Sequence, residues 1–412
     1  MMRRIITAFM AVCWASVASM AMAAGPKWQH FITVKAADTS YTEVPVSVTL
    51  PAPQGATYAE LREFGRKELV CYALVRGYDG GRGGKAEVTW IVCDLSKGAS
   101  RRYVLRFRSG LHVLLPTPTV DLNQPEGAVE VWLGRHLFTR YDYASGPKPF
   151  CFPVIGPTGK PVTRSYPMEK VEGESTDHKH HHSFWFAHGN VNGQDFWGEG
   201  EGSGKIVHRA LDQVESGYGA AIIRARNDWI AADGKKVCED VRELRVYDVK
   251  QGRLMDFEVT LLATEGPVEF GDTKEGMMAV RVASSMEVTR GKGHIVNSEG
   301  VTDKEAWGKR ADWCDYYGPV DGQTVGIAIF DHPSNFRHPT YWHVRDYGLF
   351  AANPFGVRDF VGKEAPSGAH TLAKGESLTF RYRIYIHEGD AQAAGIAGLY
   401  EQYAHPPVVR VY

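Results

Sequence analysis

Beyond its N-terminal stretch the chain has no apolar run approaching the roughly 20 residues that a membrane-crossing helix needs, so no membrane span is expected. It also lacks charge of one sign: 47 Lys and Arg stand against 48 Asp and Glu, for a formal net charge of −1. Without a basic patch or a polybasic arm, neither nucleic acid nor an anionic membrane surface is an expected partner. Helical periodicity is scarce, with Tyr58–Phe64 and Ala391–Tyr403 the only convincing stretches. Internal repeats and low-complexity tracts are missing as well, which excludes solenoids and disordered linkers. Cysteine is rare, and its six positions match no zinc spacing.

What is present begins with a targeting pattern. Met-Met-Arg-Arg precedes an apolar run from Ile5 to Ala18, and Ala21-Met22-Ala23 closes it. A basic start, a short apolar core and an A-x-A site describe a signal peptide cut after Ala23, so a periplasmic or secreted location is expected. No Cys follows the cut, which argues against a lipoprotein. Cleavage would remove Cys13 and leave Cys71, Cys93, Cys151, Cys238 and Cys314, an odd number. Cys71 and Cys93 lie on two apparent strands around the turn Gly77–Gly84 and could pair. Buried free thiols are the other reading.

Alternation at period two dominates the rest. Val46–Leu50, Tyr103–Arg108, Val129–Leu133, Phe257–Leu261 and Leu378–Ile386 largely alternate apolar with polar residues, as half-buried antiparallel strands do. The expected class is therefore mostly β. Prolines and glycines interrupt the pattern at 110–127. A small N-terminal β-sandwich is expected over 24–127, and a large antiparallel supersandwich-like domain with a short C-terminal helix over 128–412.

Chemistry-bearing residues cluster. Residues 177–188 contain five of the sixteen histidines (His178, His180, His181, His182 and His188), beside Asp177, Trp185 and the turn residue Asn190. Asp331 to His343 holds three more, with His332 and His343 flanking Asn335, Arg337 and Trp342, and Asn353 follows. Prolines at 333, 339 and 354 would fix that loop. Imidazole titrates near neutral pH and ligates metals, so the two windows together read as one polar, aromatic-walled pocket. The spacing permits a metal but matches no established signature. Two more segments join them: the charged turn Asp272-Thr-Lys274-Glu275, and an aromatic-rich run through Trp313 whose rings would suit a sugar face.

The segments Pro153–Pro161, Asp177-His-Lys-His-His181, Trp185–Gly193, Gly271–Gly276, Trp307–Trp313 and His332-Pro-Ser-Asn335 together resemble a bacterial family labelled "methane oxygenase PmoA-like", over about residues 128–400. That pattern has Pro where this chain has Lys179, and Arg where it has His182. The label is not taken as a function, because no membrane-spanning segment accompanies it. The C-terminal half is also similar, at fold level, to galactose-mutarotase-like supersandwiches. The resemblance implies an exported carbohydrate-processing protein that hydrolyses, eliminates or epimerises a glycoside. His181 or His188 would act as base, with His332 and His343 as further candidates and Glu275 or Asp331 as acid. Lys274 and Arg337 would stabilise negative charge, and Trp185, Trp313 and Trp342 would stack on the sugar. Asp177, His178, His180, Asn190, Asn335 and Asn353 would complete the binding set. A metal-dependent oxygenase and a non-catalytic sugar-binding module are the rival expectations. No cofactor is identified, and the oligomeric state is not legible.

Overall fold

The computed structural model describes residues 27–76, 84–110 and 116–412. The expected signal peptide and most of the Gly77–Gly84 turn lie outside the described residues. Strand accounts for 51 % of the chain and helix for 6 %, so the protein is mostly β with several antiparallel sheets.

Two eight-stranded antiparallel sheets form the larger body. The first runs, in spatial order, Tyr341–Val344, Leu349–Asn353, Gly276–Arg281, Phe184–His188, Phe150–Val154, His136–Asp142, Ala128–Leu133 and Val120–Asn123. The second runs Lys205–Glu215, Ala220–Ile230, Lys236–Tyr247, Arg253–Leu262, Ser377–Glu388, Gln323–Asp331, Trp313–Val320 and His294–Asn297. Their facing sides share one apolar core. Phe184 meets Phe257 at 5.0 Å between ring centroids, and Phe186 meets Trp229 at 6.4 Å. Burying each such ring contributes about 1.5–3 kcal/mol, so alternate residues of the Phe184–His188 strand are committed to the core. Trp185 and Ala187 then project from the opposite, outer face.

The smaller unit packs a five-stranded sheet on the two-stranded ribbon Tyr41–Pro51 with Lys85–Leu95, around Trp90, Leu105 and Phe107. Its outermost strand comes from the far end of the chain: Val408–Val411 pairs with Gln29–Lys35. The unit sits against the outer face of the second sheet. Arg245 reaches Glu87 at 2.6 Å, and the Tyr41 hydroxyl donates to the His405 carbonyl at 2.6 Å.

Two local expectations change. Tyr58–Phe64 is not helical; Tyr58–Glu63 is a strand with Ala59 and Leu61 pointing inward. Pairing on both sides, with Leu69–Leu74 and Ser100–Arg108, overrides the helix preference of Ala, Glu and Leu. The Cys71–Cys93 pair does not form: all five described cysteines are free, Cys71 is buried, and the Cys93 sulfur lies 4.0 Å from Glu43. The C-terminal helix is present at Ile396–Ala404.

Candidate functional site

A row of paired residues crosses the outer face of the first sheet: His343, Ala351, Ala279, Trp185 and Phe150. Directly paired side chains share a face, so two alanines leave room between the His343 and Trp185 rings. The loop through residues 177–182 folds over this row. His178 and Ser183 both adopt left-handed backbone angles, with φ of 41° and 54°, an uncommon conformation for residues other than glycine. Those turns stack four rings into a column. Tyr347 lies parallel to His178 at 5.0 Å, His178 to His181 at 4.8 Å, and His181 nearly parallel to Trp185 at 5.1 Å.

Charge organises the column's upper end. Arg164 and Arg281, both fully buried, reach the same Asp177 oxygen at 2.6 and 2.8 Å. Burial works against the Asp177 charge, but Arg281 and Arg164 overcome it and hold the carboxyl down at about 2. Asp177 Oδ1 in turn lies 3.2 Å from His178 Nδ1. A proton on Nδ1 would face the carboxylate at that distance and leave Nε2 as the acceptor. His178 and Asp177 each keep about two-fifths of their side-chain surface exposed. Arg281 also pairs with buried Glu287 at 3.2 Å and donates to His181 Nδ1 at 3.2 Å.

His181, by contrast, is sealed. It is wholly buried, and burial first, then the charge near His180 and Arg281, pushes its pKa well below the usual imidazole range. Since Arg281 can only donate, the single proton of neutral His181 sits on Nε2, which has no partner among the described residues. The indole nitrogens of Trp185 and Trp197 are equally buried and unpartnered. These three rings contact one another at 5.1 to 5.9 Å. Beside them Lys148, nearly buried, donates to Glu199 at 2.8 Å, and His182 approaches the same Glu199 oxygen at 2.7 Å. His180 is lowered to about 4, by burial and then by Lys148.

On the other side stand His343, Arg345 and the 271–275 turn. Asn353 anchors that turn by donating to the carbonyls of Thr273 and Lys274. The Asp272 carboxylate accepts from Arg358 and Gly368. Lys274 and Glu275 form a half-exposed pair at 3.0 Å. His343 is lowered to about 3 by burial and by Arg345, with Lys274 and His178 also acting on it.

The expected residues therefore divide. Asp177, His178, His180, His181, Trp185, Lys274, Glu275 and His343 come together on one face. His188 points the other way: buried, it donates from Nε2 to the Gly271 carbonyl at 2.8 Å, and burial lowers it to about 4. Asn190 shapes its turn by accepting from the Gly193 amide. Trp342 faces the core and donates to the Ala311 carbonyl. Strand alternation explains why it parts from His343. Arg337 holds the Pro354, Gly368 and Ala369 carbonyls, and so is a loop brace. Asp331 and Asn335 bond each other at the end of a second-sheet strand, and His332 lies against Tyr403 near the smaller unit. Trp313 is covered by the C-terminal helix. These last four do not share the pocket expected of them, because the two strands and the loop that carry them belong to the other sheet. Arg164, Arg281, Tyr347, Lys148 and Glu199 belong to the site and were not singled out. A lone Arg281 closing the otherwise apolar Met277–Val280 run was the one available signal.

Among the described residues, no group of three or more His, Cys, Asp or Glu side chains is arranged to hold a metal ion. No helix of the described residues is long and apolar enough to cross a membrane.

The fold and the site thus define a two-sheet β-protein with a histidine-centred outer face. Residues 128–401 match the model of DUF6807, a family of unknown function, and the chain belongs to that family. The PmoA-like label is not part of that match. No curated protein matches the sequence. Similar solved structures include an α-mannosidase from Enterococcus faecalis V583, with 11 % identity, a TM-score of 0.41, and coverage of 94 % of this chain and 46 % of that one. A protein in glycosyl hydrolase family 38 from Enterococcus faecalis gives 12 %, 0.40, 94 % and 48 %. A galactose mutarotase-like protein from Lactobacillus casei ATCC 334 gives 10 %, 0.28, 65 % and 100 %. The chain spans about half the length of the two Enterococcus proteins. At these values the likenesses carry no argument about activity.

Proposed function

We propose that the protein processes carbohydrate at this face, by proton transfer in a hydrolysis, elimination or epimerisation. The observation that supports it is the Asp177–His178 pair. A carboxylate kept ionised by two buried arginines orients a solvent-facing imidazole, leaving Nε2 as a general base. The role expected of His181 or His188 passes to His178, because those two rings are closed off from solvent. Glu275 is the acid candidate, and Lys274 and Arg345 are placed to stabilise developing negative charge.

The test is turnover of a panel of glycosides and oligosaccharides by wild type, His178→Ala, Asp177→Asn and Glu275→Gln, with products followed by NMR. Wild type should convert at least one substrate, and His178→Ala should lower kcat by about 10²–10⁴-fold while the fold survives. Asp177→Asn should also lower kcat, through the wrong tautomer. Binding without conversion by wild type, or full activity in His178→Ala, overturns the reading.

A further inference from the structure

A cavity of about 450 Å³ lies far from the histidine column, between the smaller unit, the outer face of the second sheet and the C-terminal helix. A second of about 280 Å³ adjoins it, and Arg383 and Gln402 line both. The junction is firmly built. The Thr42 amide donates to Gln402 at 3.1 Å, and the Lys250 amide donates to Glu43 at 3.1 Å. The C-terminal helix forms one side of the space through Gly398, Leu399 and Gln402. Gly398 sits inside Ile396–Ala404, and a methyl group there would meet nothing within 4 Å. A helix-interior glycine costs about 1 kcal/mol relative to alanine, and here no close approach demands it. Gly398 lines the cavity without a side chain of its own.

The lining is amphipathic and balanced. Phe330, Leu254, Leu399 and the Tyr385 ring give apolar surface, while Glu43 and Asp94 offset Lys250 and Arg383. The carboxylates of the adjoining chamber are already engaged. Asp256 receives two Arg383 bonds at 2.6 and 2.8 Å, and Glu258 pairs with Arg381 at 2.8 Å. His332 also lines the chamber, with its Nδ1 accepting from the Ser334 amide. We infer that this junction is a second, non-catalytic site for a neutral saccharide, whose C–H face packs on Tyr385 and Leu399 while its hydroxyls meet the charged rim.

Cellobiose, maltose and laminaribiose are the probes, each titrated calorimetrically into the full-length protein. Gly398→Leu fills the space and improves helix propensity, so its unliganded melting temperature should equal or exceed wild type. Wild type should bind at least one disaccharide saturably. Gly398→Leu should weaken that binding by more than about ten-fold, Gly398→Ala by less, and His178→Ala not at all. The inference fails if none of the three binds, or if Gly398→Leu binds as wild type does. It also fails if the loss follows His178→Ala, which would place the ligand on the histidine face.

Discussion

The outer faces of the two large sheets treat polar groups in opposite ways. On the junction face, arginines and carboxylates are matched: Arg383 with Asp256, Arg381 with Glu258, Arg245 with Glu243 and Glu87. On the histidine face, Arg281 and Arg164 converge on one carboxylate, while His181 Nε2, His343 Nδ1 and the Trp185 and Trp197 indoles have no partner among the described residues. A buried polar atom left without a hydrogen bond costs about 1–3 kcal/mol. The junction face is closed by matched charges, and the histidine face carries the site proposed above.

Breaking the buried arginine should have the largest effect. Arg281→Met strands Glu287, whose pKa burial already raises against the pull of Arg281, and removes the donor to His181. Uncompensated buried charge of that kind costs about 3–5 kcal/mol, to be read from urea unfolding at neutral pH. A loss below 1 kcal/mol would show that the histidine face is not electrostatically built.

Acid should separate the two sheets next. His188 and His343 are buried with pKa values lowered to about 4 and about 3, from the ordinary imidazole value of about 6.5. A depressed histidine binds its proton more readily in the unfolded chain, so its stabilisation is complete above pH 6.5 and is lost as pH falls toward the folded value. Each should contribute a slope of about 1.4 kcal/mol per pH unit across that window. His387 of the second sheet behaves the other way. Burial lowers it, but Asp315 at 3.1 Å wins and raises it, so its contribution is present in acid and fades as pH rises through the raised value. Unfolding free energies from pH 7 to 4.5 should therefore fall steeply in wild type. In His343→Gln the slope should be shallower by about one proton, and an unchanged slope contradicts the assignment.

The sequence made the strands legible because burial on one side imposes a period of two, as in Leu378–Ile386. It misled at Tyr58–Glu63, where residues with helix preference alternate and pairing decides. Of the first histidine window, the part from Asp177 to Trp185 stayed together because one loop and the start of a strand carry it, while His188 farther along that strand turned to the core. The second could not. A strand separates Trp342 from His343 by sending neighbours to opposite faces, and Asp331 ends a strand of the other sheet. Arg281 showed only as a charge ending an apolar run because its partner His181 lies 100 residues away, and Arg164 meets Asp177 across 13 residues of loop that carry no periodic signal. Window scanning reads composition, and it does not read pairing across a sheet.

The smallest effect tests the matched face directly. Arg381 and Glu258 pair at 2.8 Å, but each keeps 41 % of its side-chain surface exposed. Water screens such a pair and side-chain entropy opposes it, so Arg381→Met should change stability by only about 0–1 kcal/mol. Geometry alone would not distinguish this pair from Arg281–Glu287, whose separation is 3.2 Å against 2.8 Å. Burial does, since Arg281 is 0 % and Glu287 1 % exposed. If Arg381→Met proved as damaging as Arg281→Met in the same urea titration, desolvation would not be what sets the two faces apart.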